Sequence, residues 1–305
     1  MGQLFSWFKS PAKPRLATKD LEGVTQYIAS GRCKNIVIMS GAGISRAAGI
    51  PDFRSEGGLY DIMRKSNISV PRPQDIFTLS YFKKNPNPFY QVVSQLYGGA
   101  YRPTLTHLFI RLLEKKRILN ACWTQNVGDL ERLAGVSSWR LIQAHGSLDT
   151  QRCTTCNSKL DDRKMKQAVV SGEVPICEKR GCKGFVKPDI VFFGETLPLR
   201  FWLNLPFLKR VDLLIIVGTS LVVPPFAFIA DRVPTSCPRV VVNNKSVWGI
   251  GGRENDLQCI GDCDEMVRWL VQLIGGYWKA QLDALWKETE DKVFRYKDNI
   301  VLEEL

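Results

Sequence analysis

Cys153-x-x-Cys156, then twenty intervening residues, then Cys177 and Cys182 with four residues between them, is a spacing that suits a tetrahedral zinc ion. Four thiolates close the coordination sphere and leave no position for water or substrate, so the expected Zn2+ is structural. Disulfides are the competing reading. A second feature is the run Ile36-Val-Ile-Met39, rich in β-branched residues, which feeds Ser-Gly41-Ala42-Gly43. It reads as a buried strand ending in a turn whose backbone N–H groups approach an anion before a helix begins. A dinucleotide is the first ligand this suggests. Five residues, not two, separate Gly43 from Gly49, so this is not the ordinary Rossmann fingerprint, and a plain tight turn is the alternative. Only two histidines occur. His107 lies in an amphipathic helical stretch and reads as a packing residue. His145 follows a strand and precedes Gly146, where an imidazole can face a crevice and act as a general base.

The elements that must position these groups follow from periodicity. From Thr18, an expected N-cap, Leu21, Val24 and Ile28 recur at helical spacing until Gly31 closes the helix. Apolar runs at Ile36 to Met39, Ile118 to Thr124, Leu141 to Gln143, Leu213 to Val217 and Val240 to Val242 read as strands, separated by segments long enough for crossovers. That pattern is an α/β, doubly wound, parallel, Rossmann-like sheet. Each strand ends in a polar motif: Gly41, Gln125-Asn126, His145, Gly218-Thr219-Ser220 and Asn243-Asn244. Ligands of open α/β sheets bind outside the carboxyl ends of the strands, so these motifs are expected to converge on one crevice. Two stretches interrupt the sheet and form a smaller module. Residues 56–105, punctuated by Pro71, Pro73, Pro86, Pro88 and Pro103, read as a helical insertion, and residues 150–186 hold the four cysteines. A flexible segment, 1–18, precedes the main body, 19–275. A helical extension, 276–305, follows it, and Leu282, Leu285 and Trp286 share one face that suits packing on the main body.

Beside the glycine turn, Gly49-Ile-Pro-Asp52-Phe53-Arg54 sets an acid, an aromatic ring and a guanidinium, more than a plain turn requires. With Thr124-Gln125-Asn126, Ala144-His145-Gly146, the four cysteines, Lys187-Pro-Asp-Ile-Val191-Phe192-Phe193-Gly194-Glu195 and Gly218-Thr219-Ser220 in order, the chain resembles the sirtuin family of NAD-dependent protein deacylases. The resemblance runs from Leu21 to Gly275 and is closest to the eukaryotic class I group. It implies a protein-lysine deacylase, acting on acyl-lysine protein substrates, that moves the acyl group to ADP-ribose and releases nicotinamide. By position it implies His145 as the base, with Asn126 at the nicotinamide end. Gly41, Ala42 and Gly43 would cradle phosphate, and Arg54 and Gln125 would contact the ribose region. Asp52, Phe53 and Tyr60 complete that side of the cofactor site, while Gly218, Thr219, Ser220, Asn243, Asn244, Lys245 and Cys263 would hold the adenosine half. Val191, Phe192, Phe193, Gly194 and Glu195 would pair with the substrate backbone as a strand, with Phe192 lining an acyl-lysine tunnel. Core packing is the other reading for Phe192 and Phe193.

The chain departs from the family in two places. After Gln125-Asn126 the family pattern is an aliphatic residue, then Asp-Gly, whereas this chain reads Val127-Gly128-Asp129. The family aspartate accepts a hydrogen bond from the nicotinamide carboxamide, and its loss costs on the order of 1–3 kcal/mol. Asp129 either reaches that spot through a shifted loop or caps the following helix. The cofactor loop Ser55 to Tyr60 is one residue shorter than the commonest family form. The family's desuccinylases hold an acidic acyl group with Tyr-x-x-Arg, but here the helix reads Tyr90-Gln-Val-Val93, so an uncharged acyl group is expected. Two other functions stay open: an impaired, NAD-sensing or membrane-tethered binding module, motivated by Gly128 and an acylatable amino terminus, and mono-ADP-ribosyl transfer.

The chain has 305 residues, 45 % of them hydrophobic and 24 % charged, as in an ordinary globular protein. No apolar run reaches the ~18 residues of a membrane span. Nine cysteines behind no secretory leader argue for a reducing compartment, with the cytoplasm expected and nucleus and mitochondrion left open. The net charge of +12 favours acidic partners, without a specific nucleic-acid signature. Met1-Gly2-Gln-Leu-Phe-Ser6 fits the myristoylation pattern at Gly2. Lys9, Lys13, Arg15 and Lys19 supply the second signal that attachment to an anionic membrane surface needs. A presequence or a plain tail is the alternative. The oligomeric state is left open.

Overall fold

The structure, a computed structural model, describes residues 15–53, 55–97, 100–290 and 294–295. Its strands are β1 (Ile36–Ser40), β2 (Ala100–Tyr101), β3 (Leu119–Thr124), β4 (Leu141–Gln143), β5 (Gly146–Cys153), β6 (Val186–Ile190), β7 (Leu213–Val217), β8 (Arg239–Asn243), β9 (Asp256–Ile260) and β10 (Phe294–Arg295). Its α-helices are α1 (Leu21–Ala29), α2 (Leu59–Lys65), α3 (Leu79–Phe82), α4 (Asn87–Tyr97), α5 (Leu105–Lys115), α6 (Leu130–Leu133), α7 (Asp162–Ser171), α8 (Leu199–Asn204), α9 (Cys263–Ile274) and α10 (Gly276–Glu288).

Six strands form one sheet in the order β4-β3-β1-β7-β8-β9, and every pair is parallel. β1, β7 and β8 are buried at every position, which is why they read as unbroken apolar runs: parallel strands covered on both faces leave no polar side. The sixth strand, β9, went unrecognised in the sequence. It sits at an edge, and Asp256 and Gln258 interrupt its apolar residues, so no such run exists. From β1 the chain first moves outward through β3 and β4 and then returns to lay down β7, β8 and β9 on the other side. The order therefore reverses beside β1, the switch point at which such sheets bind ligands.

Two apolar layers cover the sheet. Leu21, Val24, Leu108, Leu112, Val267 and Leu270 pack from α1, α5 and α9 on one face, and Leu282 and Leu285 of α10 join that layer. On the other face Phe201, Leu208, Phe226 and Ile229 pack against Trp123, Leu214 and Ile216. The two insertions share a third core, in which Phe82, Phe89, Tyr90 and Val93 meet Met165, Val169, Val186 and Phe192. The antiparallel pair β5–β6 frames that module. Two local expectations are corrected. Asp20, not Thr18, caps α1: its carboxylate takes the Gly23 N–H at 2.8 Å, and the Thr18 hydroxyl donates to the same carboxylate at 2.6 Å. After β1 the chain enters a 3-10 turn, Ala42–Ala48, rather than an α-helix. No helix among the described residues is long and apolar enough to cross a membrane.

Candidate active site

The register sets the strand ends level. Ser40 of β1 pairs with Thr124 of β3 and Val217 of β7, Thr124 pairs with Gln143 of β4, and Val217 pairs with Val242 of β8. The residues that follow, Gly41, Gln125, Ala144-His145 and Gly218, consequently leave the sheet side by side around the switch point, with Asn243 at the end of β8 beside them. Contacts bind them together. The Gln125 N–H donates to Ser40 O at 3.0 Å, and the Thr219 hydroxyl donates to Gln125 Oε1 at 2.6 Å. Gly43 lies so close to β7 that an added Cβ would meet Gly218 Cα at 2.7 Å, and Gly218 itself has φ +61°. No larger residue fits either position without displacing backbone.

That packing corrects one expectation. The Gly41 and Gly43 N–H groups do not point at open space: they donate to Val217 O at 3.3 Å and Gly218 O at 2.8 Å. The glycines are needed for the approach of one chain segment to another, which composition alone does not distinguish from approach to a ligand. Beside the turn, the Asp52 carboxylate takes the Ser55 N–H at 2.7 Å and pairs with Arg46 at 3.3 Å. Phe53 is exposed, its ring 6.4 Å from Tyr60 and 5.6 Å from Phe77. Arg54 and Gly2 lie outside the described residues.

His145 is half-buried, 6.0 Å from the Phe226 ring. Desolvation lowers its pKa, against a raising hydrogen bond to the Gln125 backbone, so the imidazole is held in its neutral form. Asn126 is fixed by a residue that sequence reasoning missed. Its side-chain amide donates to Glu131 Oε1 at 3.3 Å, its backbone N–H donates to Thr124 Oγ1 at 3.0 Å, and that hydroxyl donates to Glu131 Oε1 at 2.7 Å. Glu131 is buried, and desolvation raises its pKa. No signal in the sequence separates this glutamate from a solvated one at a helix start. Asp129 stands at the N-cap of α6 without bonding the helix N–H groups. Its carboxylate takes Arg132 Nε at 2.9 Å, and Arg132 also pairs with Asp149 of β5.

The other half of this sheet end is built by β7, β8 and the start of α9. The Gly218 N–H donates to Val242 O at 3.0 Å and the Gly261 N–H to Asn243 O at 2.9 Å. The Asn243 amide donates to Lys245 O at 2.9 Å, while Asn244, Lys245 and Ser220 are exposed. Cys263 is buried in the first turn of α9, and desolvation pushes its thiol up to about 12, so it stays protonated.

In the segment Val191 to Glu195 several backbone groups are bonded within the protein. The Val191 N–H donates to His145 O, the Phe193 N–H to Phe77 O, and Phe193 O accepts from the Leu79 N–H. The Glu195 N–H turns back to Phe192 O, with Gly194 at φ +96°. These groups are spent inside the protein, so the run is not an open five-residue edge. Phe192 is 1 % exposed and packs edge-on against Phe77, Phe82 and Phe89, which favours the core reading for it. Phe193, by contrast, is 54 % exposed. Buried Lys187 holds this turn from below, with Nζ 3.0 Å from Glu195 and 4.6 Å from the Phe192 ring centroid.

The four cysteines converge as their spacing predicts. All four sulfur atoms lie within 4.8 Å of one another, with Cys153 to Cys182 at 3.7 Å and Cys156 to Cys177 at 3.5 Å. Those separations are far too long for a disulfide and match the edge of about 3.8 Å that a tetrahedron of 2.3 Å zinc–sulfur bonds requires. Backbone N–H groups of Thr155, Lys179 and Gly184 point at three of the sulfurs, at 3.4–3.5 Å. The donor set fits Zn2+ and leaves no open position.

The Sir2 family profile matches residues 41–225. This chain belongs to the Sir2 family. It is 44 % identical over 279 residues to the NAD-dependent protein deacetylase hst2 of Schizosaccharomyces pombe, covering 91 % of this chain and 82 % of that one. It is 42 % identical over 299 residues to the NAD-dependent protein deacetylase sirtuin-2 of Danio rerio, covering 91 % and 77 %, and 41 % identical over 276 residues to that named sirtuin-3 of Mus musculus, covering 90 % and 81 %. Within this Sir2 fold the structure brings Gly41, Gly43, Gln125, Asn126, His145, Gly218, Thr219 and Asn243 to one sheet end. The cysteine cluster stays apart, in the module framed by β5 and β6.

Proposed function

We infer that this protein is an NAD-dependent protein-lysine deacetylase. One observation carries the reading: the motif residues leave five level strands at the switch point of the sheet, in a Sir2-family chain more than 40 % identical to proteins named NAD-dependent protein deacetylases. NAD, when bound, supplies the ribose carbon that receives the acyl oxygen and the nicotinamide that departs. With one water consumed, the products are free lysine, nicotinamide and O-acyl-ADP-ribose. His145, kept neutral by desolvation, would take the proton of a ribose hydroxyl of bound NAD as its base. Asn126 orients the nicotinamide end, its amide fixed by Glu131. Thr219 and Gln125, bonded to each other, line the ribose region, and Asn243 and Cys263 flank the adenosine half. Zinc holds the module together and takes no part in the chemistry.

An uncharged acyl group is the preferred cargo. The Tyr90 hydroxyl is committed to Val186 O at 2.6 Å and Val93 is buried in the module core, so this part of α4 offers no cation for an acidic acyl group. Asp129 favours a second reading, an impaired NAD-binding module, because its carboxylate is engaged by Arg132 and Gly128 has no side chain to replace it. Incubation with an acetyl-lysine peptide, with and without NAD, separates the two. NAD-dependent loss of acetyl supports the deacetylase. Measurable NAD binding with no turnover of acetyl or long-chain acyl peptides establishes the second reading.

A further inference from the structure

One surface is left unexplained by this chemistry. α8 and the 3-10 turn that continues it, Leu205–Arg210, bury Phe201 and Leu208 against the sheet. The opposite side is apolar too. Leu199, Trp202 and Leu203 of α8 and Phe207 of the following 3-10 turn are all exposed, Leu199 by 71 % and Leu203 by 62 %. Trp139 is near: Arg200 of α8 donates to its backbone O at 2.5 Å, and its exposed ring carries Arg140 at 3.8 Å. Scattered exposed apolar residues are ordinary, but four large ones within nine residues of one short surface segment mark an interaction site.

The rim charge decides what covers it. Arg200, Lys209 and Arg210 are exposed in the same segment, and no acid occurs from Thr196 to Val211. The acids that bound this stretch are both engaged, Glu195 by Lys187 and Asp212 by Arg15. A protein-binding face needs no such one-sided charge, whereas an interfacial helix on anionic lipid has it, with Trp, Phe and Leu on one side and Arg and Lys around them. Arg15 adds a further cation close by in the chain: its Nη1 donates to Asp212 O and Oδ1, both at 3.2 Å, two residues beyond Arg210.

We propose that this face, centred on Trp202 and Phe207, docks the folded domain on an anionic lipid surface. The aromatic rings enter the headgroup region while the arginines and lysine meet lipid phosphates, and this contact adds to whatever the N-terminal segment contributes. It does not depend on the catalytic reading.

Sedimentation with vesicles tests it, using the full chain made without any acyl group. Expected is binding to 1:1 phosphatidylserine–phosphatidylcholine vesicles, weakened by salt and absent on pure phosphatidylcholine. The double variant Trp202→Ser/Phe207→Ser should bind at least about tenfold more weakly, since two large apolar side chains no longer insert; it loses the edge contact of Trp202 with Phe201 and melts somewhat lower, but stays folded with its turnover of a soluble acetyl-peptide unchanged. Arg200→Gln/Arg210→Gln should weaken binding and flatten its salt dependence. No binding, equal binding by the wild type and the Trp202/Phe207 variant, or equal binding to neutral vesicles would each overturn the proposal. So would self-association in solution that the double variant abolishes, which would assign the face to a second copy of the chain.

Discussion

Glu131 offers the sharpest test of how the site is held. Glu131→Ala removes the acceptor of two hydrogen bonds, from Thr124 Oγ1 at 2.7 Å and Asn126 Nδ2 at 3.3 Å. A hydrogen bond to a charged group contributes about 1.5–3 kcal/mol, and the longer one about 0.5–1 kcal/mol. Burying the carboxylate opposes this, as its raised pKa records. A net loss of about 2 kcal/mol is expected, read as a lower urea midpoint at unchanged slope. Freeing the Asn126 amide should lower kcat/KM for deacetylation by about ten- to a hundredfold. Glu131→Gln keeps the shape and one acceptor and should recover most of both. The pH dependence gives a third readout. Because folding raises the carboxyl pKa above 4.5, the folded chain holds this proton more tightly, and wild-type stability falls as pH rises from 4.5 through the raised value. Glu131→Gln should lack that slope. A folded Glu131→Ala protein with unchanged kcat/KM would refute the idea that this carboxylate positions Asn126.

Other consequences follow from neighbouring groups. Because desolvation depresses the His145 pKa, kcat/KM should be level through neutral pH and fall only below the ordinary imidazole value of 6.5; a fall already beginning above pH 7 would contradict this. His107 is fully buried, with Nδ1 near Thr104 and Nε2 without a partner among the described residues, and burial pushes its pKa down to about 3. Its stability contribution is complete above pH 6.5 and is lost as pH falls toward 3, several kcal/mol in all, so acid unfolding should shift to lower pH in a His107→Gln variant that still folds. Removing zinc with a strong chelator, or Cys177→Ser, should lower the thermal midpoint and release zinc equimolar with the chain; unchanged melting in its absence would contradict a structural role. Phe192→Ala, which empties the centre of the aromatic cluster, should cost about 3–5 kcal/mol by denaturant titration.

Burial on both faces made much of this fold legible in sequence. β1, β7 and β8 are unbroken apolar runs because helices cover both sides of the sheet, and the cysteine spacing carried the metal cluster because four ligands must close on one point. The edge strand β9 was not legible, since a half-exposed parallel strand loses the run that marks its neighbours. Residue type and place in the chain predicted that His145, Gln125 and Asn126 stand together at the sheet end, but not the direction of individual groups. The N–H groups of Gly41 and Gly43 serve the β1–β7 contact, and Phe192 belongs to the aromatic core. Glu131 was invisible because its role comes from a fold that buries it beside Asn126, across a turn that sequence periodicity does not describe.

The most direct measurement is product analysis by mass spectrometry after mixing the protein with acetyl-lysine peptide and NAD, beside a His145→Ala control. Expected are deacetylated peptide, nicotinamide and O-acetyl-ADP-ribose in equal amounts, all falling by orders of magnitude in the control. Free acetate without NAD consumption, or full activity in His145→Ala, would contradict the assignment of acyl transfer to the crevice at the ends of β1, β3, β4 and β7.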